Sequence, residues 1–290
     1  MGDIRGKKAI VTGGAMGFGL ATCKKLLKEG CDVTIWDLSA EAMEKARKEL
    51  EKIGTGKVYT YQCDVVDPER VKALTAQARI DMGRIDILIN NAAFQRKGSF
   101  VEQPIEAMLK QNDVNINALL YTMKAVIPEM VERNSGWIVN VSSAASIFSF
   151  PKLSIYTSSK WWVHGICDVL RLEMKILGKK GVKIISVHPG LAGAGGGMFG
   201  GMKLGMIASF IAPLCKPDVL AKRIVENGIK KGRTVVMVPR TIYLFWMLRG
   251  WIPNPLWDWQ LRILGMDKTV DSIVGRPGFA HSDSRLDKKA

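Results

Sequence analysis

Between residues 8 and 27 a short apolar run, Lys8-Ala9-Ile10-Val11-Thr12, passes into a helical apolar pattern, Phe18 to Leu27, through four glycines at positions 13, 14, 17 and 19. No other stretch limits the fold as much. A strand that turns so abruptly into a helix aims unpaired N–H groups, and the positive end of the helix dipole, at the turn, where an anion fits. Without Cβ atoms, Gly13, Gly17 and Gly19 admit unusual dihedrals and let phosphate oxygens approach the backbone. The stretch reads as a pyrophosphate site, with a plain glycine-rich turn as the alternative it leaves open on its own.

The same alternation continues downstream. Residues 31–37 form a second apolar strand pattern and 41–53 an amphipathic helix; 57–64 and 68–83 repeat the pair, and 85–93 is a fourth strand. This order predicts a doubly wound parallel sheet with helices on both faces, whose ligands sit at the carboxyl ends of the strands. Asp37 lies at one such end, close to twenty residues past the glycine turn, where a carboxylate accepts hydrogen bonds from an adenosine ribose. A 2′-phosphate would be repelled there, and neither Ala15 nor Met16 offers a cation. NAD(H) is therefore expected over NADP(H). A helix cap is the other use for Asp37, although Ser39 is better placed for it. Asp64, after the third strand, suits either an adenine contact or a turn.

Length and composition set the outer limits. The chain has 290 residues and 47% hydrophobic content, enough for one large α/β domain, and no repeat or Pro/Ser-rich linker divides it. The net charge is +15, yet the basic residues are dispersed, as on a solvated surface, and no nucleic-acid partner is expected. Met1 to Lys8 is polar and leads straight into the first strand, so no signal peptide and a cytoplasmic protein are expected. Five cysteines without close pairs are expected as reduced, buried thiols, and the three histidines are too scattered for a metal site.

The residues able to do chemistry lie in the second half. Tyr156 and Lys160 are four apart and so share one helix face. A phenol is a poor acid near neutrality, but an ammonium close by favours the phenolate, so the pair could exchange a proton at working pH. Ser143 ends a strand thirteen residues earlier, where its hydroxyl could meet a substrate oxygen. Alone, these residues fit an exposed helix pair beside a capping serine better.

The order of motifs removes that alternative. "TGGAMGFG" at 12–19, "NNAA" at 90–93, "DVNINAL" at 113–119, "IVNVSSAAS" at 138–146, "YTSSK" at 156–160 and "HPG" at 188–190 together resemble the short-chain dehydrogenase/reductase family over residues 5–240. The resemblance implies a Rossmann-type fold, with Tyr156 as general acid/base and Ser143 orienting the carbonyl. It gives Lys160 the tasks of lowering the tyrosine's pKa and holding the nicotinamide ribose, and Asn115 a proton relay through water. Carried over position by position, cofactor contacts are expected at Gly13, Ala15, Met16, Gly17, Phe18, Gly19, Asp37, Leu38, Asp64, Val65, Asn91, Ala92, Ala93, Tyr156, Lys160, Pro189, Gly190 and Ala192. Substrate contacts are expected at Ser143, Ala145, Phe150 and Tyr156. Three features depart from the family pattern: Ala93 replaces a glycine, Ala194 replaces a threonine, and Trp161-Trp162 follow the lysine. The glycine-rich stretch from 190 to 205 reads as a mobile loop or a simple connector.

Beyond residue 240 the composition changes. Residues 240–266 hold four tryptophans among Ile, Leu and Phe, interrupted by Arg249, Pro253 and Pro255, and the apolar part is too short to span a bilayer. Packing in the core or between subunits, a lid over an apolar substrate, and peripheral contact with a membrane are all open to it. This extension, 241–290, is similar to the tails of the hydroxysteroid and retinol dehydrogenase branch. The expected activity is therefore NAD(H)-dependent interconversion of a secondary alcohol and a ketone on an apolar, steroid-like substrate, by a homodimer or homotetramer. A retinol or long-chain alcohol dehydrogenase is the alternative within the class. A dinucleotide-binding, lipid-associated protein with little turnover is the alternative outside it.

Overall fold

The computed structural model describes residues 2–190 and 214–263. Seven parallel strands run β1 (Lys8–Thr12), β2 (Asp32–Asp37), β3 (Val58–Gln62), β4 (Ile87–Asn90), β5 (Gly136–Val141), β6 (Val182–Pro189) and β7 (Val235–Val238). Their order in space is β3-β2-β1-β4-β5-β6-β7. The chain turns back at β1, and the cleft between the ends of β1 and β4 is where a doubly wound sheet binds ligands.

Helices cover both faces because successive side chains on each strand point to opposite sides. Ala9, Val11, Val33 and Ile35 pack against α1 (Gly17–Lys28), α2 (Ala40–Glu51) and α7 (Pro217–Arg223). Ile10, Trp36, Leu88 and Ile138 pack against α3 (Pro68–Met82), α5 (Ala118–Glu132) and α6 (Ser154–Ile176) on the other side. The short helix α4 (Ile105–Asn112) leads into α5 through a π-helical turn, Asp113–Asn117. Ser39 caps α2 by accepting from Ala42 N–H at 3.1 Å, as its position before the helical pattern predicts.

Two strands are shorter than their apolar patterns. The fourth runs only to Asn90, whose amide turns sideways to Asn140 at 2.8 Å and accepts from Thr122 Oγ at 2.7 Å. The third stops at Gln62, before the turn in which Asp64 accepts from Val66 N–H at 3.2 Å. Buried or turn-forming side chains, rather than hydrophobicity, set both ends.

The glycine turn is fixed from across the cleft. Asn91 donates through Nδ2 to the carbonyls of Thr12 (3.1 Å) and Gly13 (2.9 Å), while the Thr12 hydroxyl accepts from Asn91 N–H and Ala92 N–H, both at 3.0 Å. Gly13 and Gly17 have φ of 60° and 55°, a region that side chains disfavour. Gly19, unlike Gly13 and Gly17, has no positive φ. It sits inside α1, where a Cβ would lie 2.1 Å from the Gly13 carbonyl oxygen and 2.7 Å from Asn91 Nδ2, so its bare backbone serves helix-to-turn packing.

The C-terminal segment is built onto the sheet domain. Helices α8 (Thr241–Arg249) and α9 (Asn254–Ile263) follow β7. Ile242 and Trp257 join Ala144, Ala145, Ile147, Phe148, Phe150, Leu153 and Tyr156 in a third buried cluster. Trp257 stacks on Phe148 with centroids 5.8 Å apart and planes 11° from parallel, while Phe245 meets Phe148 edge-on at 5.2 Å.

Gly19→Ala is expected to destabilise the fold by about 1–3 kcal/mol through overpacking, read by urea unfolding. Because the clash falls on Gly13 and Asn91, dinucleotide binding should weaken as well. A variant of unchanged stability would show that α1 has room to shift.

Candidate active site

The second face of the sheet delivers the reactive side chains to one point. β5 ends at Val141, Ser142 and Ser143 follow, and a short helical turn, Ala144–Ser146, carries the chain away. Opposite, α6 buries Tyr156, Ser159 and Lys160 along one stripe against the sheet. Hydrogen bonds pin that stripe: Ser142 Oγ donates to the Lys160 carbonyl at 2.8 Å, and Ser159 Oγ to the Tyr156 carbonyl at 2.7 Å.

The Ser143 hydroxyl accepts from Ala145 N–H at 3.1 Å and is hydrogen-bonded with the Tyr156 phenol. Lys160 Nζ donates to the Val141 carbonyl at 3.0 Å and lies 5.5 Å from the centre of the Tyr156 ring. All three residues are buried. Burial disfavours charge, so it pushes the Tyr156 phenol up to about 12, against an opposing pull from Ser143. It also pushes the Lys160 ammonium down to about 8. In the chain by itself, desolvation is the largest influence on both groups. A phenol so held keeps its proton near neutrality and can give it to an oxygen placed beside it.

Asn115 sits in the π-helical turn, fully buried. Its Oδ1 accepts from Phe94 N–H at 2.9 Å, and its Nδ2 donates to the Phe94 carbonyl at 2.8 Å and to Ser159 Oγ at 3.2 Å. Here it joins the segment after β4 to α6. Thr12, Ser142 and Ser159 make comparable contacts, and sequence reading gave them no role, since small hydroxylated residues carry no pattern until their partners are known.

The residues around the cleft fit a nicotinamide dinucleotide. The first turn of α1 has neither a capping side chain nor an acidic residue, which leaves its N–H groups and dipole for a pyrophosphate. A Cβ on Gly13 would meet Ala92 Cα at 3.0 Å, so the cradle is already as tight as a bare backbone allows. Asp37 accepts from Ala15 N–H at 3.1 Å and Ser39 N–H at 3.3 Å, and so stands fixed beside the turn. Met16 and Leu38 are exposed, Val65 is buried, Phe18, Asn91, Ala92 and Ala93 are half-buried, and Asp64 is an exposed turn residue. Pro189 and Gly190 are buried at the end of β6, with Gly190 N–H donating to the Val238 carbonyl at 2.6 Å. Ala192 and Ala194 lie outside the described residues, as do most of the 190–205 stretch and the last part of the extension.

Of the residues expected at the substrate, Ala145 and Phe150 are buried in the third cluster beside Ser143 and Tyr156. The tryptophans of the extension divide. Trp257 is 1% exposed and packs on this cluster, whereas Trp251 is 87% exposed. Trp162 packs into the second cluster and Trp161 is exposed on α6. Among the described residues no group of His, Cys, Asp and Glu could hold a metal, and no helix is long and apolar enough to cross a membrane.

Comparison with known proteins agrees with this geometry. A family profile described as short chain dehydrogenase matches residues 7–196. Epidermal retinol dehydrogenase 2 of Homo sapiens is 29% identical over 272 residues, covering 94% of this chain and 86% of its own. Retinol dehydrogenase 10 of Xenopus tropicalis is 29% identical over 299 residues, with the same shares covered. Among solved structures, a short chain dehydrogenase/reductase from Burkholderia phymatum in complex with NAD superposes with a TM-score of 0.76 at 22% identity, over 90% of this chain and 97% of that one.

The buried lysine gives a pH-dependent test. In the folded chain Lys160 loses its proton near pH 8, while an unfolded lysine keeps it to about 10.5. The cost of burying the charge is complete below pH 8 and fades as the pH rises to about 10.5. The stability of Lys160→Met relative to the parent should therefore fall by about 3 kcal/mol as the pH rises from 7 to about 10.5 in urea titrations. A difference that does not vary with pH would contradict the assignment.

Proposed function

The chain belongs to the short-chain dehydrogenases, enzymes acting on alcohol groups, and from that premise we propose that it is an NAD(H)-dependent oxidoreductase interconverting a large apolar alcohol with its carbonyl. The observation that carries this reading is the buried apolar cluster that joins Ala145, Phe148, Phe150 and Trp257 to Tyr156. A polar substrate would leave hydroxyls unpaired against such walls, whereas a hydrocarbon skeleton gains about 25 cal/mol per Å² buried there.

Two retinol dehydrogenases among the relatives favour a retinoid-like alcohol over the hydroxysteroid reading. The dinucleotide, when bound, supplies or takes up the hydride. The Ser143 hydroxyl donates to the substrate oxygen and holds it against Tyr156, which passes its phenolic proton to that oxygen as the carbonyl becomes an alcohol. Lys160 contributes positive charge beneath the ring.

Asp37 supports NAD(H) over NADP(H). Its carboxylate is oriented by the glycine turn itself, and Arg70, next to the neighbouring strand, already donates to the Gln62 carbonyl at 2.9 Å. Five free, buried cysteines support a reducing compartment such as the cytoplasm. A second copy of the chain is supported by Leu120, Trp161, Val169 and Leu172, exposed on α5 and α6.

The outer face of α8 and α9 supports peripheral contact with an anionic bilayer. Leu244, Met247, Leu256 and Trp259 are exposed on them and Trp251 in the turn between, flanked by Arg240 and Arg262, and an amphipathic pair of this kind lies in a membrane interface with its cations toward the headgroups.

Purified protein should reduce all-trans-retinal with NADH at a kcat/KM at least about tenfold above that with NADPH, and Asp37→Ala should narrow the gap. Equal use of the two by the parent would remove the cofactor assignment, and turnover of a ketosteroid but not of retinal would restore the steroid reading. In flotation with phosphatidylserine-containing vesicles, Trp251→Ala should lose most of the bound fraction and leave soluble kcat/KM for retinal within about twofold, since the ring is far out in solvent. Undiminished flotation would argue against this face.

A further inference from the structure

β6 closes on His188 and Pro189, with Gly190 next in the chain. His188 is fully buried. Its Nδ1 lies 2.7 Å from Ser146 Oγ and 3.4 Å from the Ser143 carbonyl oxygen, and its Nε2 lies 3.0 Å from Ser186 Oγ. Ser146 Oγ donates in turn to the Ser143 carbonyl at 2.7 Å. With that hydroxyl proton placed, Ser146 Oγ accepts from Nδ1–H, and Nε2 accepts from the Ser186 hydroxyl. The outcome is one head-to-tail chain from Ser186 through His188 and Ser146 to Ser143, in which each bond polarises the next.

The surroundings keep this chain in a single protonation state. Burial lowers the imidazole's pKa to about 3, and His164, edge-on at 5.0 Å, and Lys160 push in the same direction. A neutral ring has one donor and one acceptor, which is what the two serines require. Ser142 N–H donates to the Val187 carbonyl at 2.7 Å, so β6 holds the Ser143 turn from both sides of that residue.

We propose that His188 is a positioning residue for the reaction, orienting Ser143 beside Tyr156 through Ser146. This rests on the reading of Ser143 and Tyr156 as the groups that meet the substrate oxygen. A merely structural histidine would lower stability without a specific tie to Ser143.

The test is a double-mutant cycle on His188→Leu and Ser143→Ala, with crystal structures of the parent and His188→Leu. His188→Leu should lose about 10- to 100-fold in kcat, with KM for NADH and substrate within about threefold, and should add nothing in the Ser143→Ala background. His188→Asn, which can both donate to Ser146 and accept from Ser186, should recover most of the activity. In the crystals, Ser143 should turn away from Tyr156 in His188→Leu. Losses that multiply in the double variant, or a Ser143 left unmoved, would overturn the proposal. Should the parent turn over no alcohol or carbonyl, the proposed function falls, while the crystal comparison still decides whether His188 sets Ser143.

Discussion

The side chain of Asn91 ties the end of β4 to the turn after β1, and the rest of the site is arranged around that tie. It fills two carbonyls of the glycine turn, while Thr12 returns the contact by accepting two main-chain N–H groups from the β4 side. The strands are buried and the residues that follow them, Gly13, Asn91 and Ala92, are half-buried, so these polar groups have little water within reach and pair with one another. The pairing fixes where α1 begins. An uncapped helix start and an oriented Asp37 then face the same cleft as the end of β4. Gly19 belongs to this arrangement too, since any side chain there would push α1 away from the turn.

A second constraint comes from burial on the other side of the cleft. Placing Tyr156 and Lys160 against the sheet separates both from water and moves their pKa values in opposite directions, so each is biased to its neutral form. The fold holds this arrangement with bonds to main-chain carbonyls, Lys160 to Val141 and Ser142 to Lys160. A preformed site of this kind needs little reorganisation when charge develops on a substrate oxygen. The extension completes the enclosure: Trp257 covers Phe148, and Arg249 lies over the Trp257 ring at 5.1 Å.

Much of this was legible in the chain itself. The alternation of strand and helix patterns gives the sheet, the glycine spacing gives the turn, and the four-residue step from Tyr156 to Lys160 gives one face of α6. Less was visible where a residue's task depends on a partner distant in sequence. The contact of Gly19 with Asn91, the engagement of both ends of Asn115, and the contact of His188 with Ser146 span between 21 and 72 positions, and no local pattern encodes them. The depth at which Tyr156 and Lys160 lie was not visible either, because residue types reveal charge but not burial. For the aromatic extension, composition treats Trp251 and Trp257 alike, and only packing separates the exposed ring from the buried one.

The central claim is that a buried, proton-bearing Tyr156 and an apolar enclosure serve hydride transfer to a large carbonyl. Its most direct test is to incubate the purified protein with all-trans-retinal and NADH carrying deuterium at the transferable nicotinamide C4 position, and to analyse the alcohol by mass spectrometry. The account predicts one deuterium in each retinol molecule formed, with product formation falling at least about a hundredfold in Tyr156→Phe while NADH binding is kept. Retinol without the label, or a Tyr156→Phe protein that forms labelled retinol at the parent rate, would contradict it.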